Sequence, residues 1–251
     1  MLAIRAVLFD IDDTLVDTRG AFRLALGKVA AAYLSDAPSV DELTLTWRTD
    51  AGGHYRAFTR GEIGYREQRM RRANELHVIY GGPVLDDDAY DEWNLGFEQA
   101  FRAGWLAHDD AAACLDALQA AGIPFGALSN ARVDYQVEKL AAAGLGHVPM
   151  LVGVDTLGFG KPDPRVFELA AERIGFAPQE IAYVGDELDI DAIAAVAVGM
   201  RGIWIDRLAA DRPTEHSAHG DHSAHGDPSV GHPDTITRVT SLAEVVAATT
   251  F

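Results

Sequence analysis

Two aspartates near the start of the chain, Asp10 and Asp12, have the type and spacing that most clearly suggest chemistry. They follow the apolar run Val7-Leu8-Phe9, which predicts a short buried strand. If the backbone stays extended, both carboxylates lie on one side of the chain. Carboxylates at the end of a buried strand are costly unless a metal, a substrate or hydrogen bonds compensate for them. An acidic turn is the simpler interpretation, so matching residues elsewhere must decide.

Three later groups of polar residues each follow a predicted strand. Ser129 and Asn130 open a helix, where a hydroxyl and free backbone N–H groups can bind an anion, although Ser129 could equally be a plain N-cap. Lys161 stands between a glycine and a proline before a capped helix, and a fixed ammonium there can hold a phosphoryl oxygen. Asp186 is the first carboxylate after its strand, as Asp10 is after the first strand.

The elements that must position these residues can be predicted from the apolar pattern. Five strands are predicted at residues 5–9, 124–128, 150–154, 180–185 and 202–206, and helices between the later strands at 109–121, 132–143, 163–174 and 189–198. This alternation predicts an α/β fold with a Rossmann-like parallel sheet in the order 3-2-1-4-5 and helices on both faces. In that order Asp10 faces Asp186, and a hard cation such as Mg²⁺ would offset their repulsion.

The long segment between the first two strands has helical patterns and no convincing strand. Helices are predicted at residues 20–34, 40–58, 61–79 and 89–104. We therefore expect a core of residues 1–17 and 105–251 and an all-helical cap of residues 18–104 over the carboxylates. Residues 65–72 are locally basic, and we interpret them as a solvated helix face with Arg–Glu pairs. The alternative is that some of these arginines face the site.

Composition limits the class of protein. The chain has 251 residues, of which 48% are hydrophobic, so a globular fold is expected. A net charge of −17 argues against nucleic acid or an anionic membrane as a partner. With no bilayer-length apolar stretch and no signal-peptide pattern, we expect a cytoplasmic protein. The single cysteine, Cys114, fits a reducing compartment and core packing, and the sequence favours neither a monomer nor a homodimer.

A histidine-rich segment is of another kind. Residues 216–221 repeat as residues 222–227 within a polar stretch of residues 208–234, which holds five of the nine histidines. The stretch has no apolar periodicity, so we predict a disordered loop within the core. With no cysteine and a glycine in each repeat, a specific metal site is not expected there.

The ordered set of motifs resembles the haloacid dehalogenase-like hydrolases, in the branch with a helical cap of type C1 between the first and second motifs. The resemblance covers almost the whole chain. It is carried by the loop Asp10-Ile11-Asp12-Asp13-Thr14, by Ser129, by Lys161, and by Gly185-Asp186 with Asp191 five residues on.

The resemblance implies roles for these residues. Asp10 would be the nucleophile that forms an aspartyl-phosphate, and Asp12 the general acid and base. Mg²⁺ would be held by Asp10, by the backbone carbonyl of Asp12 and by Asp186, with Asp191 supporting them. The residues implied to bind the phosphoryl group or to orient its loop are Thr14, Ser129, Asn130 and Lys161.

Asp12 also bears on the reaction. The dehalogenases of this family lack a carboxylate two residues after the nucleophile and need neither the acid nor the metal. The sequence therefore predicts a Mg²⁺-dependent phosphatase, a phosphoric monoester hydrolase for a small phosphorylated metabolite. A phosphomutase acting on a sugar phosphate shares every motif and is the first alternative. A metal-handling or interaction protein that uses the histidine-rich loop is the second.

Overall fold

A parallel sheet forms the centre of the protein. The computed structural model describes residues 3–208 and 236–249. The strands are β1 Ala6–Phe9, β2 Phe125–Leu128, β3 Met150–Val152, β4 Ile181–Gly185, β5 Arg201–Ile205 and β6 Ile236–Val239. They lie in the order β3-β2-β1-β4-β5-β6, and all neighbours are parallel. The predicted α/β fold and the order of the first five strands are confirmed, and β6 is an addition.

The sixth strand carries weak signals in the sequence. Its two central residues, Thr237 and Arg238, are exposed, and Val239 is its one buried residue. Such a strand lacks the continuous apolar run by which the buried strands are recognised. It also follows the predicted histidine-rich loop of residues 208–234, which from residue 209 onward lies outside the described residues.

Five helices between β1 and β2 lie within the range predicted for the cap. Their bounds are α1 Thr18–Tyr33, α2 Val40–Thr49, α3 His54–Thr59, α4 Tyr65–Ile79 and α5 Asp87–Ala103. The prediction of one helix over residues 40–58 is wrong, because the chain breaks between α2 and α3. Asp50 ends α2 with a φ of 47°, and Gly53 precedes α3 with a φ of 65°. Two left-handed residues cannot continue a right-handed helix.

The cap has an aromatic core of its own. Trp93, Phe97 and Phe101 are spaced four residues apart on α5, and all three are buried. Their consecutive ring centroids are 5.0 and 5.8 Å apart. Trp47 of α2 packs against Phe97 with 5.4 Å between centroids. The four-residue spacing places the rings of α5 on one face, where they hold the cap together.

The remaining helices belong to the core. Their bounds are α6 Ala111–Ala120, α7 Val133–Ala142, α8 Val154–Leu157, α9 Pro164–Ile174, α10 Ala194–Ala197 and α11 Ala243–Thr249. α8 takes up Val154, which the sequence assigned to the third strand. A π-helical turn, Leu188–Ile193, precedes α10, so the helix predicted over residues 189–198 begins irregularly. No helix among the described residues is long and apolar enough to cross a membrane, and the cytoplasmic location stays a prediction.

Alternate residues of β1 face two different layers of helices. Val7 and Phe9 belong to one buried cluster, which includes Cys114 of α6. Ala6 and Leu8 belong to a second cluster, formed with α9 and α10. Both faces of the strand are therefore covered, as expected for a parallel sheet. β1 gives rigid support to the residues that follow it.

The two linkers between core and cap lie side by side. Val16 forms isolated β-bridges with Asp12 and with Ala107. The backbone N–H of Asp17 donates to the carbonyl of Leu106 at 2.9 Å. The cap therefore enters and leaves the core at a single place, next to Asp12.

Candidate active site

The predicted site residues lie at the carboxyl ends of three adjacent strands. Asp10 directly follows β1, and its backbone N–H donates to the carbonyl of Val184 in β4 at 2.8 Å. Ser129 follows β2 and Asp186 follows β4, the two strands that flank β1. Lys161 enters from the loop before α9. Parallel strands end at one common edge, and this brings together residues that are far apart in the sequence.

Asp10 and Lys161 form a buried ion pair. Nζ of Lys161 donates to Oδ1 of Asp10 at 2.7 Å and to Oδ1 of Asp191 at 2.6 Å, and it contacts the Tyr183 hydroxyl at 3.0 Å. Burial raises the pKa of Asp10 to about 8, although the charge of Lys161 opposes this shift. Repulsion from Asp191 and Asp12 adds to the rise. Burial and the neighbouring carboxylates thus outweigh the shared ammonium and leave Asp10 hard to ionise.

Asp186 joins Asp10 and Asp191 in a group that could hold a metal ion. One carboxylate oxygen from each residue lies within 4.8 Å of the others. Burial, followed by repulsion from neighbouring carboxylates, raises the pKa of Asp186 well above its usual value. A cluster of oxygen ligands that resist ionisation fits Mg²⁺, whose charge favours their ionised forms. Asp191 uses its other oxygen to accept the Glu187 N–H at 3.0 Å, an arrangement that suits a supporting role.

The cap contributes a cation to this acidic edge. Arg48 of α2 hydrogen-bonds to the carboxylate of Asp13 and lies 3.8 Å from that of Asp186. Burial opposes the charge on Arg48, but Asp13 and Asp186 outweigh that effect and raise its pKa. Arg48 thereby links the cap to the strand ends.

Asp12 is held by a different set of groups. The Thr18 hydroxyl donates to its Oδ1 at 2.6 Å, Nε2 of Gln136 donates to its Oδ2 at 2.7 Å, and Nζ of Lys139 donates to its Oδ1. Burial alone would raise the pKa of Asp12. The charge of Lys139 and the hydrogen bonds outweigh burial and lower that pKa below its usual value. Asp12 is therefore ionised at neutral pH.

The residues predicted to bind phosphate have unequal access to the cavity between cap and core. Ser129, Asn130 and Lys161 all line it. The Asn130 amide, however, holds the backbone of Lys161: it accepts the Lys161 N–H at 2.6 Å and donates to the Lys161 carbonyl at 3.0 Å. Thr14 is fully buried and is not among the described residues that line the cavity. Its side chain therefore does not occupy the predicted phosphate-binding position. Its carbonyl accepts a hydrogen bond from Arg207 at 2.6 Å, which fits a role in shaping the loop.

The cavity has a volume of about 1160 Å³. The strand-end residues form its floor, and residues of α2, α3 and α4 line it from the cap. The Tyr55 hydroxyl of α3 spans the gap and donates to the carbonyl of Asn130 at 3.3 Å. A cavity of this size admits a small molecule.

The basic segment of residues 65–72 agrees only in part with its preferred interpretation. Arg71 is exposed and pairs with Glu67, as expected for a solvated helix face. Arg69 is buried, Arg72 is largely buried, and both line the cavity. The preferred interpretation is therefore wrong for these two arginines, and the alternative applies to them.

Sequence reasoning missed several residues at the site. They are Arg48, Gln136, Lys139 and Tyr183. Gln136 and Lys139 are three positions apart on α7 and share its buried face. The buried positions of a helix are usually apolar. A glutamine and a lysine on the same helical face as Leu140 could therefore have indicated polar residues directed toward a functional site. Lys139 is also one of only three lysines in the chain.

Comparisons with known proteins agree with this geometry. The structure is similar over its full length to that of a HAD-hydrolase, YfnB from Bacillus subtilis, solved bound to magnesium, with a TM-score of 0.76 and 21% identity. Phosphoglycolate phosphatase of Shigella boydii is 31% identical over 213 residues, 80% of this chain and 81% of that protein. Phosphoserine phosphatase of Thermus thermophilus is 39% identical over 121 residues, so the chain aligns with about half (48%) of that relative.

A parallel sheet with a helical insert after its first strand, and with carboxylates at its edge, places the chain among α/β proteins with a Rossmann-like core and a helical cap. The family model for haloacid dehalogenase-like hydrolases matches residues 4–199. The chain belongs to this family, as its motifs predict.

Proposed function

We propose that this enzyme is a Mg²⁺-dependent phosphatase that acts on a small phosphorylated metabolite. The observation that carries the proposal is that Asp10, Asp12, Ser129, Lys161 and Asp186 line one cavity, with carboxylate oxygens of Asp10 and Asp186 close enough to share a metal ion. Two carboxylates, a fixed ammonium and a hydroxyl at one edge supply a nucleophile, a proton-transfer group and groups that can hold a phosphoryl oxygen. Relatives that are named as phosphatases of phosphoglycolate and phosphoserine support this class of reaction.

Asp10 is the nucleophile in this proposal. Its ionised carboxylate attacks phosphorus, and a new P–O bond forms as the bond to the leaving oxygen breaks. Lys161 lies 2.7 Å from the attacking group and can hold a phosphoryl oxygen, and Ser129 lines the same space. Bound Mg²⁺, held by Asp10, Asp186 and the carbonyl of Asp12, would supply positive charge that favours the ionised nucleophile.

Asp12 is the proton-transfer group. In its protonated form it gives a proton to the leaving oxygen, and the carboxylate that this leaves then takes a proton from the water that attacks the aspartyl-phosphate, so that inorganic phosphate is released and Asp12 is protonated again. The second step needs Asp12 in its ionised form, which its lowered pKa favours.

A phosphate-release assay tests the proposal. Purified protein should release inorganic phosphate from p-nitrophenyl phosphate in the presence of Mg²⁺, and EDTA should abolish the release. A screen of phosphorylated metabolites at fixed Mg²⁺ would then identify the substrate. Conversion of a sugar phosphate to its isomer without free phosphate would contradict the proposal and favour a phosphomutase.

A further inference from the structure

We propose that Lys139 is a positioning residue for Asp12, which it holds together with Gln136 on the inner face of α7. The inference rests on the proposed function, in which Asp12 transfers protons. Lys139 and Asp12 are 127 positions apart in the sequence and come from different elements. Among the described residues, Asp12 supplies the carboxylate within ion-pair distance of the Lys139 ammonium.

The burial of Lys139 argues for a functional demand. Its side chain is 2% exposed, and Gln136 is fully buried. Burying the Lys139 ammonium beside Asp12, whose side chain is 31% exposed, carries a desolvation cost that an apolar side chain of similar volume does not. α7 already presents an apolar residue, Leu140, on the same buried face. Packing alone therefore does not account for a lysine and a glutamine beside it.

An aromatic cage fixes the Lys139 ammonium. Its Nζ lies 5.5 Å from the ring centroid of Phe101, 5.8 Å from that of Trp105 and 5.5 Å from that of Tyr135. Cation–π attraction to the rings offsets part of the lost hydration. The rings surround the cation without adding a second carboxylate, so its full charge acts on Asp12. In contrast, Lys161 divides its charge between Asp10 and Asp191.

Gln136 connects Asp12 to Ser129, one of the residues predicted to bind phosphate. Its Nε2 donates to Oδ2 of Asp12 at 2.7 Å and to the Ser129 hydroxyl at 2.8 Å. One amide group therefore sets the separation between the proton-transfer group and that hydroxyl. Without the two α7 residues, Asp12 would keep its hydrogen bond from Thr18, the first residue of the cap. Lys139 and Gln136 thus hold Asp12 to the core.

The test compares Lys139→Met, which keeps an unbranched side chain of most of the length and removes the charge, with Lys139→Arg, which keeps the charge. The matched control is Lys28→Met, because Lys28 is an exposed lysine of α1. Each protein is assayed with Mg²⁺ on p-nitrophenyl phosphate, whose leaving group needs no proton, and on glycerol 2-phosphate, whose alkoxide does. kcat/KM is the quantity compared, because it reports the steps up to departure of the leaving group.

For Lys139→Met we expect kcat/KM to fall about 100-fold on glycerol 2-phosphate and less than about 5-fold on p-nitrophenyl phosphate. Lys139→Arg should recover most of the loss, and Lys28→Met should match the wild type on both esters. Inhibition by inorganic phosphate should be unchanged in Lys139→Met, since Lys161 and Ser129 are intact. An equal fall on both esters, or no fall on either, would overturn the proposal.

Crystal structures of the wild type and of Lys139→Met give a readout that needs no activity. We expect the Asp12 carboxylate to leave its hydrogen bond with Gln136 and to turn toward the cavity in the variant. An Asp12 side chain that keeps its position would overturn the positioning role. If the wild type hydrolyses neither ester, the proposed phosphatase function fails, while the crystal structures still decide whether Lys139 positions Asp12.

Discussion

Asp10 and Asp12 are two residues apart, and each contacts a buried lysine, yet their carboxyl groups behave differently. Burial raises the pKa of Asp10 to about 8, whereas the neighbours of Asp12 outweigh burial and lower its pKa. Lys161 is shared between Asp10 and Asp191, while Lys139 serves Asp12. Asp10 is the more deeply buried of the two and shares its ammonium with another carboxylate, whereas Asp12 is 31% exposed and accepts hydrogen bonds from Thr18 and Gln136 besides its lysine.

The largest effect is expected from removal of the nucleophile. Asp10→Asn keeps the size of the side chain and removes the attacking oxygen anion, so phosphate release should fall at least about 10⁴-fold. Phosphate release with saturating Mg²⁺ measures this, and circular dichroism shows whether the variant folds. Full activity of the folded variant would show that Asp10 is not the nucleophile.

A smaller loss is expected at the second carboxylate. Asp12→Asn should lower kcat/KM on glycerol 2-phosphate about 10²- to 10³-fold, because the leaving oxygen then departs without a proton. The loss should be smaller on p-nitrophenyl phosphate. Asp88→Asn, an exposed acid of α5, is the control and should have no effect. If Asp12→Asn and Asp10→Asn lost activity equally on both esters, the two carboxylates would not have separate roles.

The affinity for Mg²⁺ should depend on pH through Asp10 and Asp186, the two proposed ligands whose pKa values are raised. A carboxyl group with a pKa of about 8 carries a proton at pH 6, and Mg²⁺ must displace that proton to bind. The affinity should therefore rise by at least about tenfold per pH unit up to about pH 8. Asp12 adds nothing to this trend above pH 6, because its pKa is lowered. Isothermal titration calorimetry in two buffers of different ionisation enthalpy measures the protons released, and a pH-independent affinity would contradict the raised pKa.

The smallest effect concerns folding stability without metal. A carboxyl group whose pKa is raised on folding destabilises the folded state progressively as the pH rises above its unfolded value. Asp186→Asn should therefore stabilise the protein at pH 7 in EDTA. Asp12→Asn should do the opposite, because Asp12 is stabilised in its ionised form. Urea unfolding measures the free energy of unfolding of both variants. If the two substitutions changed it in the same direction, the proposed difference between Asp186 and Asp12 would be wrong.

The parts of the site that could be predicted from the sequence are those that follow buried strands. Asp10, Ser129 and Asp186 are marked by the apolar runs before them, and parallel pairing then fixes a common edge. Thr14 was predicted at the same edge, but its side chain is buried away from the cavity. Adjacency in the sequence does not determine which way a loop residue points.

The parts that could not be predicted depend on how helices pack. Arg69 and Arg71 are two residues apart on α4, and only burial against the rest of the cap separates a cavity residue from a solvated one. Lys139 contacts a residue 127 positions away, a distance that no local spacing encodes. The break between α2 and α3 depends on Asp50, a non-glycine residue with positive φ, which the helical pattern conceals.

The bridges from Val16 to Asp12 and Ala107 bear on how such an enzyme can change in evolution. They bring the two ends of the cap together. The distance between the points where the chain leaves and re-enters the core therefore stays short, whatever the number of residues in the cap. Insertions and deletions in the cap can then alter the shape of the cavity without moving a strand or its register. The strand ends can then keep their geometry while the sequence of the cap diverges.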